Sequence, residues 1–272
     1  MMASPARPAV ISGGALTALA AALVAAFVVA PGTLAARWSG GSIDESNLRG
    51  ALRDAFIGYW RAGERGFPPD LARVVDYWFR YHVVKGVIAA VLLIVLVALG
   101  VLLWRGFLRA AGVGDKVALG SGGVVVTAVG VLSLLAVMAN IQGVAAPFSS
   151  LLPMLGVGEA EGELGETVDQ VRQRLADSSD GRPLDVMIGD FARYHVAMAV
   201  IAAIVAVVFL GTSVLLWKRF AGTSDRRARW VFGSFGALSV LSSLAMCGVV
   251  AANTMAAVHS ASALLGFFNG GW

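Results

Sequence analysis

The chain has 272 residues, of which 58% are hydrophobic and only 14% charged, where ordinary soluble domains carry about 25% charged residues. That balance excludes a soluble globular protein and points to the membrane class. The formal net charge of +4 is spread over short islands with no aromatic-interleaved basic segment, which argues against nucleic acid as a partner. One cysteine, Cys247, leaves no intramolecular disulfide and no cysteine metal cluster, and its place in an apolar run predicts a buried packing role.

The first uncharged run extends from Pro8 to Ala36 and holds a span from about Ala9 to Ala30. It is longer than the apolar core of a cleaved signal, roughly 7 to 15 residues. Thr33-Leu34-Ala35 would serve as a cleavage site, yet the length favours a retained span. Small residues recur at Gly14, Ala18, Ala22, Ala26 and Ala30, a face suited to close helix packing.

A long segment follows, from about Pro31 to His82. Ser42 and Glu45 have capping-box spacing ahead of Leu48, Leu52, Phe56 and Tyr59, so a short amphipathic helix is expected. Proline is tolerated at a first helical position, and a second helix is expected to open at Pro69. Its apolar stripe is Leu71, Val74, Val75 and Trp78, and it should run directly into span two, about Val83 to Leu103. Span three follows Lys116 and reaches about Ala139. The acidic segment from Gln142 to His195 comes next, then span four (about Val196 to Leu216) and span five (about Val231 to Asn253). The stretch from Gln142 to Gly158, with Pro147 and Pro153, and the tail from Met255 to Trp272 would either re-enter the membrane or lie along its interface, and an interfacial helix is the reading preferred for both.

The short loops carry Arg105, Arg109 and Lys116, and then Lys218, Arg219, Arg226, Arg227 and Arg229. Short basic loops remain in the cytoplasm. In a plasma membrane this places the N-terminus, with Arg7, inside and the C-terminus and both long segments outside. Trp38, Tyr77, Trp78, Tyr81, Trp104, Trp217, Trp230 and Trp272 flank the spans as an interfacial belt would.

An internal repeat emerges at a shift of 113 residues. Arg80-Tyr81-His82-Val83 recurs as Arg193-Tyr194-His195-Val196, and the ungapped match to Phe107 and Phe220 keeps 14 of 28 positions identical. Apolar runs match cheaply, so the weight rests on Arg-Tyr-His before the span and on Trp104 and Phe107 against Trp217 and Phe220 after it. The same shift carries Leu71, Val74, Val75 and Trp78 onto Leu184, Met187, Ile188 and Phe191, and Asn140 onto Asn253. Two crossings per unit make the copies parallel, with any pseudo-symmetry axis along the membrane normal. The expected architecture is an all-α integral membrane protein of about five spans. It is a tandem parallel repeat of a two-span unit with extracytoplasmic amphipathic helices: repeat units at 1–108 and 109–221, and a fifth span with its tail at 222–272.

Candidate chemistry is sparse. His82, His195 and His259 fall at one predicted membrane face, and imidazole ligates metals and haem, but no ligand spacing supports such a site. The reading preferred is an interfacial collar of Arg80, Tyr81 and His82 with Arg193, Tyr194 and His195, polar tips in the headgroups. Arg80 and Arg193 are expected to pair with carboxylates such as Asp76 or Asp190, locking each external helix to its span. Asn140 and Asn253 would either line a pathway or hydrogen-bond between helices, the commoner use of an amide there. No ionisable residue lies in the middle of a predicted span, which counts against an ion-coupled carrier. No phosphate loop, nucleophile elbow or His-Glu-x-x-His occurs, so no catalytic residue and no cofactor is expected. These observations favour a non-enzymatic accessory or scaffold subunit. Its partners would be the lipid bilayer and another membrane protein or a second copy of the chain. The alternatives are a channel or small-molecule transporter, and a haem- or metal-binding protein using the histidines.

Overall fold

The structure is a computed structural model that describes residues 12–177 and 181–271. The described residues form helices and turns, with no strand among them. In chain order the helices are α1 (Gly13–Trp38), α2 (Leu48–Ala62), α3 (Pro69–Arg109), α4 (Val113–Ala145), α5 (Pro147–Leu151), α6 (Gly162–Ala176), α7 (Arg182–Gly222), α8 (Arg226–Val258) and α9 (Ser260–Phe268). Two 3-10 turns, Leu152–Leu155 and Val157–Glu159, join α5 to α6. Among the described residues five helices, α1, α3, α4, α7 and α8, are long and apolar enough to cross a membrane. A helix closes its main-chain hydrogen bonds within itself, which is what a hydrocarbon environment demands, and the chain is a multi-pass helical membrane protein on that ground.

Two of the long helices, α3 and α7, begin at or beside a proline and run without interruption. α3 opens on Pro69 and passes through the Leu71–Trp78 stripe into the apolar run, as expected. α7, with Pro183 in its first turn, has the same length of 41 residues, and α4 and α8 both have 33. A shift of 113 carries both ends of α3 onto those of α7, and both ends of α4 onto those of α8.

Several local expectations are corrected. α1 does not stop at Ala30 but continues through Pro31 to Trp38, since one missing N–H does not end a helix whose neighbours keep their bonds. Its small-residue stripe is not buried along its length: Gly14, Ala18 and Ala22 are exposed and Ala26 and Ala30 half-buried, while Leu16 and Ala20 are buried. The capping box does not form. α2 starts at Leu48, and the preceding turn is organised by Asp44, whose Oδ1 accepts from the Ser46 and Asn47 amides at 2.8 and 3.1 Å and from the Ser46 hydroxyl. The Ser46 hydroxyl first, then those amides, hold the Asp44 carboxyl below its ordinary range. Glu45 instead lies against Gly32 of α1, where a β-carbon would come within 2.7 Å of its carboxylate. Cys247 is exposed on α8 rather than packed. Arg7 and Trp272 lie outside the described residues.

The chain divides into two compact units of packing, 1–29 with 87–136, and 30–86 with 137–272. In the first, Leu16 and Ala20 of α1 pack on Leu92, Val95, Leu96 and Leu99 of α3, with Val126 and Val129 of α4 alongside. Ser133 donates to the carbonyl of Ala89 at 2.9 Å, and Trp104 to Thr127 Oγ1 at 3.3 Å, so α3 and α4 are pinned at two levels.

In the second unit α7 and α8 form an antiparallel pair. Ser213 donates to the Gly236 carbonyl at 3.1 Å and Ser243 to that of Ala206 at 3.0 Å. The remaining elements of this unit build one aromatic core, which we term the cap. Phe56 and Tyr59 of α2, Leu71 and Tyr77 of α3, Phe148 and Leu151 of α5, Val168 and Val171 of α6, Met187 of α7, and Leu264 and Phe268 of α9 are all buried in it. The stripes Leu71/Val74/Trp78 and Leu184/Met187/Phe191 both face this core. The segments expected along the membrane interface contribute to this core. Phe148, Leu151, Leu152 and Leu155, like Leu264, Phe267 and Phe268, bury their apolar side chains in the cap.

Polar ties close the cap's seams. Arg53 donates to the Leu155 carbonyl at 3.1 Å, and Arg172 to that of Phe268 at 2.7 Å, where a cation also meets the negative end of α9. Trp60 donates to Gln170 Oε1 at 2.9 Å, joining α2 to α6. Tyr59 donates to the Pro183 carbonyl at 3.3 Å, and burial, with the Asp190 charge adding to it, pushes its hydroxyl up to about 12. A fully buried aromatic ring in such a core is costly to delete. Phe56→Ala should destabilise the detergent-solubilised protein by about 3–5 kcal/mol, read from chemical unfolding followed by tryptophan fluorescence. Val200→Ala, on an exposed face of α7, should stay within about 0.5 kcal/mol.

Candidate functional site

The polar residues singled out by the repeat come together in two pairs of the same design. His82, near the point where α3 leaves the cap, has its Nδ1 at 2.9 Å from Oδ1 of Asn140 on α4. His195 of α7 has its Nδ1 at 2.9 Å from Oδ1 of Asn253 on α8. In both pairs the partners stand 58 residues apart. An amide oxygen only accepts, so each Nδ1 carries the proton and donates. For Asn253 the amide orientation is fixed independently, because its Nδ2 donates to the Val249 carbonyl at 2.9 Å. It follows that each Nε2 bears a lone pair in the neutral ring, and both Nε2 atoms are buried without a hydrogen-bond partner.

Aromatic residues one turn back hold each ring. Trp78 meets His82 edge-on at 4.7 Å and stacks on Tyr81 at 4.9 Å, while Phe191 meets His195 edge-on at 4.6 Å. Tyr81 and Tyr194 stand roughly perpendicular to their neighbouring imidazoles, at 5.9 and 5.5 Å. Residues three and four apart on a helix share a face, which is why the Arg-Tyr-His motif and the stripe before it converge. Lys85 donates to the Tyr81 hydroxyl at 3.0 Å.

Gly143 of α4 packs against the face of the His82 ring: a β-carbon there would come within 2.5 Å of Nε2 and Cδ2 and 2.7 Å of Cε1, so only glycine lets the two helices approach this closely. His259 is not brought to the other two: it is exposed between α8 and α9. No group of three or more His, Cys, Asp or Glu able to hold a metal occurs among the described residues. Each imidazole thus joins two helices through Nδ1 and keeps its Nε2 buried.

The arginines of the motif pair as expected but not to the expected end. Arg80 donates to Asp76 at 2.7 Å and Arg193 to Asp190 at 3.2 Å, each within its own helix, so neither pair locks one element to another. The lock is supplied by a contact that sequence reasoning missed. Asp190 is buried and its Oδ2 accepts from the amide and hydroxyl of Ser149 at 2.8 and 2.9 Å, tying α7 to the first turn of α5. A proline opening a short helix with a serine two residues on was the available signal. Beside it, Trp78 donates to the Ser150 hydroxyl at 2.8 Å, and Gln142 to the Tyr194 carbonyl at 3.1 Å.

No protein-family model matches this chain, and no curated protein or solved structure matches it. The reading of the site therefore rests on its own geometry.

A buried hydrogen bond is most expensive when half removed. His82→Leu or Asn140→Leu alone should each cost about 1–3 kcal/mol, and the double variant should cost less than the sum, which a double-mutant cycle on unfolding free energies would show. Gly143→Ala should cost about 1–3 kcal/mol by forcing the His82 ring aside. At the position related by the shift the chain already carries Ala256, and Ala256→Gly should change stability far less.

Proposed function

We propose that this chain is a non-enzymatic accessory or scaffold protein of the plasma membrane, acting by association of its cap with a partner membrane protein or a second copy. The observation that carries this reading is the pair of His–Asn bridges. The most distinctive polar residues of the spans are spent on fastening helices to each other, and a buried, hydrogen-bonded imidazole with its second nitrogen masked is a structural device. Chemistry would require such a group to face a substrate.

The reading includes a tandem duplication, α1–α3 and α4–α7 with α8 as the extra span. It is supported by the matched ends of α3 and α7 and of α4 and α8, and by the two alike bridges. What such a duplication copies is a shape. In the topology we favour, the basic turns after α3 and α7 lie in the cytoplasm, with the cap and the C-terminus outside.

The test is purification in mild detergent, with chemical crosslinking and identification of whatever stays bound. A stoichiometric partner or a dimer is expected, and a lone monomer across several detergents would count against the proposal. In vesicles the protein should raise no solute flux. Flux that Asn140→Leu/Asn253→Leu abolished would move the reading to a channel. With Cys247→Ala as background, Glu64→Cys should react with an impermeant maleimide in intact cells, and Thr223→Cys only after permeabilisation.

A further inference from the structure

We propose that the cavity between the end of α7 and the start of α8 binds one anionic phospholipid of the surrounding bilayer. The cavity, of about 550 Å³, is lined by Trp217 and Phe220 of α7 and by Arg226, Arg229, Trp230 and Gly233 around the start of α8. Its chemistry is divided. Aromatic rings supply an apolar wall suited to a glycerol backbone and the first methylenes of an acyl chain, and two guanidiniums supply planar donors suited to a phosphate. Neither Arg226 nor Arg229 has a carboxylate partner among the described residues, and Arg229 lies over the Phe220 ring at 4.6 Å. Around them, Lys218, Arg219, Arg226, Arg227 and Arg229 face one carboxylate, Asp225. That carboxylate is already engaged, accepting from the Arg227 and Ala228 amides at the start of α8. The local field is strongly positive, and the complement is an anion.

Three observations select a lipid. The cavity lies at the junction of two span-length helices, where a headgroup reaches without leaving the membrane. Trp217 and Trp230 are both exposed there, the placement of interfacial tryptophans. The third comes from the matching turn between α3 and α4. Under the 113-residue shift, Val113, Lys116 and Val117 stand there in place of Arg226, Arg229 and Trp230, and Thr127 in place of Val240. Trp104 donates to Thr127, whereas Trp217, with a valine there, makes no hydrogen bond to the protein among the described residues. The second turn has an arginine and a tryptophan where the first has valines, an arginine where it has a lysine, and no acceptor for its equivalent indole, which leaves that N–H for an ester or phosphate oxygen.

The full chain in nanodiscs of phosphatidylglycerol and phosphatidylcholine, released into a mass spectrometer, should retain one phosphatidylglycerol in preference to phosphatidylcholine. Arg226→Gln/Arg229→Gln should reduce that preference about 30-fold, from roughly two headgroup-facing cations lost. Arg105→Gln/Arg109→Gln, in the other basic turn, should leave it intact. Circular dichroism checks that the variants remain helical. Should the glutamine variant fail to fold, the unaltered protein still decides the matter, because brominated phosphatidylglycerol should quench its tryptophans more than brominated phosphatidylcholine at equal mole fraction. Equal retention and equal quenching of the two lipids would overturn the proposal, as would equal losses from both turns. Inorganic phosphate in solution should leave the lipid in place; displacement by it would reassign the site to a soluble anion and overturn the lipid.

Discussion

A hydrogen-bonding group on the flank of a membrane helix has no water to turn to, so whatever it pairs with fixes how that helix sits against its neighbour. In this protein that constraint is met at the junction between the spans and the cap by an imidazole on one helix donating to an amide on the next. Deeper along the α7–α8 pair, hydroxyls of Ser213 and Ser243 reach carbonyls of the facing helix. Each such bond is worth about 1 kcal/mol, which is modest as stability. Its value lies in register. A slide of one turn would strand several polar atoms together, and few alternative packings remain open to helices that are otherwise uniform in Ala, Val and Leu.

The two bridges are alike at their centre and different around it. Gly86 and Gly143 line the first, allowing α3 and α4 to approach until backbone touches ring; Ala199 and Ala256 hold those places beside the second. Tyr77, with its hydroxyl buried and unpaired, corresponds to Asp190, which has found a partner in Ser149. Trp78, bonded to Ser150, corresponds to Phe191, which has no polar atom to place. The same bridge thus sits in two different surroundings. The turn at the far end of α7 differs more from the turn after α3, and it carries more charge and more aromatic surface.

The cap explains why segments with so little regular amphipathic pattern are ordered. Burial of Phe148, Leu155 and Phe268 removes apolar surface from water without the help of a bilayer, and the arginine ties to the carbonyls of Leu155 and Phe268 satisfy chain ends that would otherwise be orphaned. One core drawn from six separate stretches of sequence makes the cap a single body, and a surface on such a body can be recognised as a unit.

Much of this was legible from residue order. Hydrophobic length marks the five long helices because crossing or burying about 20 apolar residues needs no tertiary information. Pro69 marked the start of α3, and the 113-residue shift picked out His82, His195, Asn140 and Asn253. That the histidines and asparagines bond to each other was decided only in three dimensions, since a spacing of 58 residues says nothing of contact until both helices are placed. The same holds for the failed capping box, for Gly14, Ala18 and Ala22 of α1 left exposed, and for the segments around Pro147 and Ser260 drawn into the cap. In each case local pattern left the outcome open, and long-range packing, available only once distant segments met, decided it.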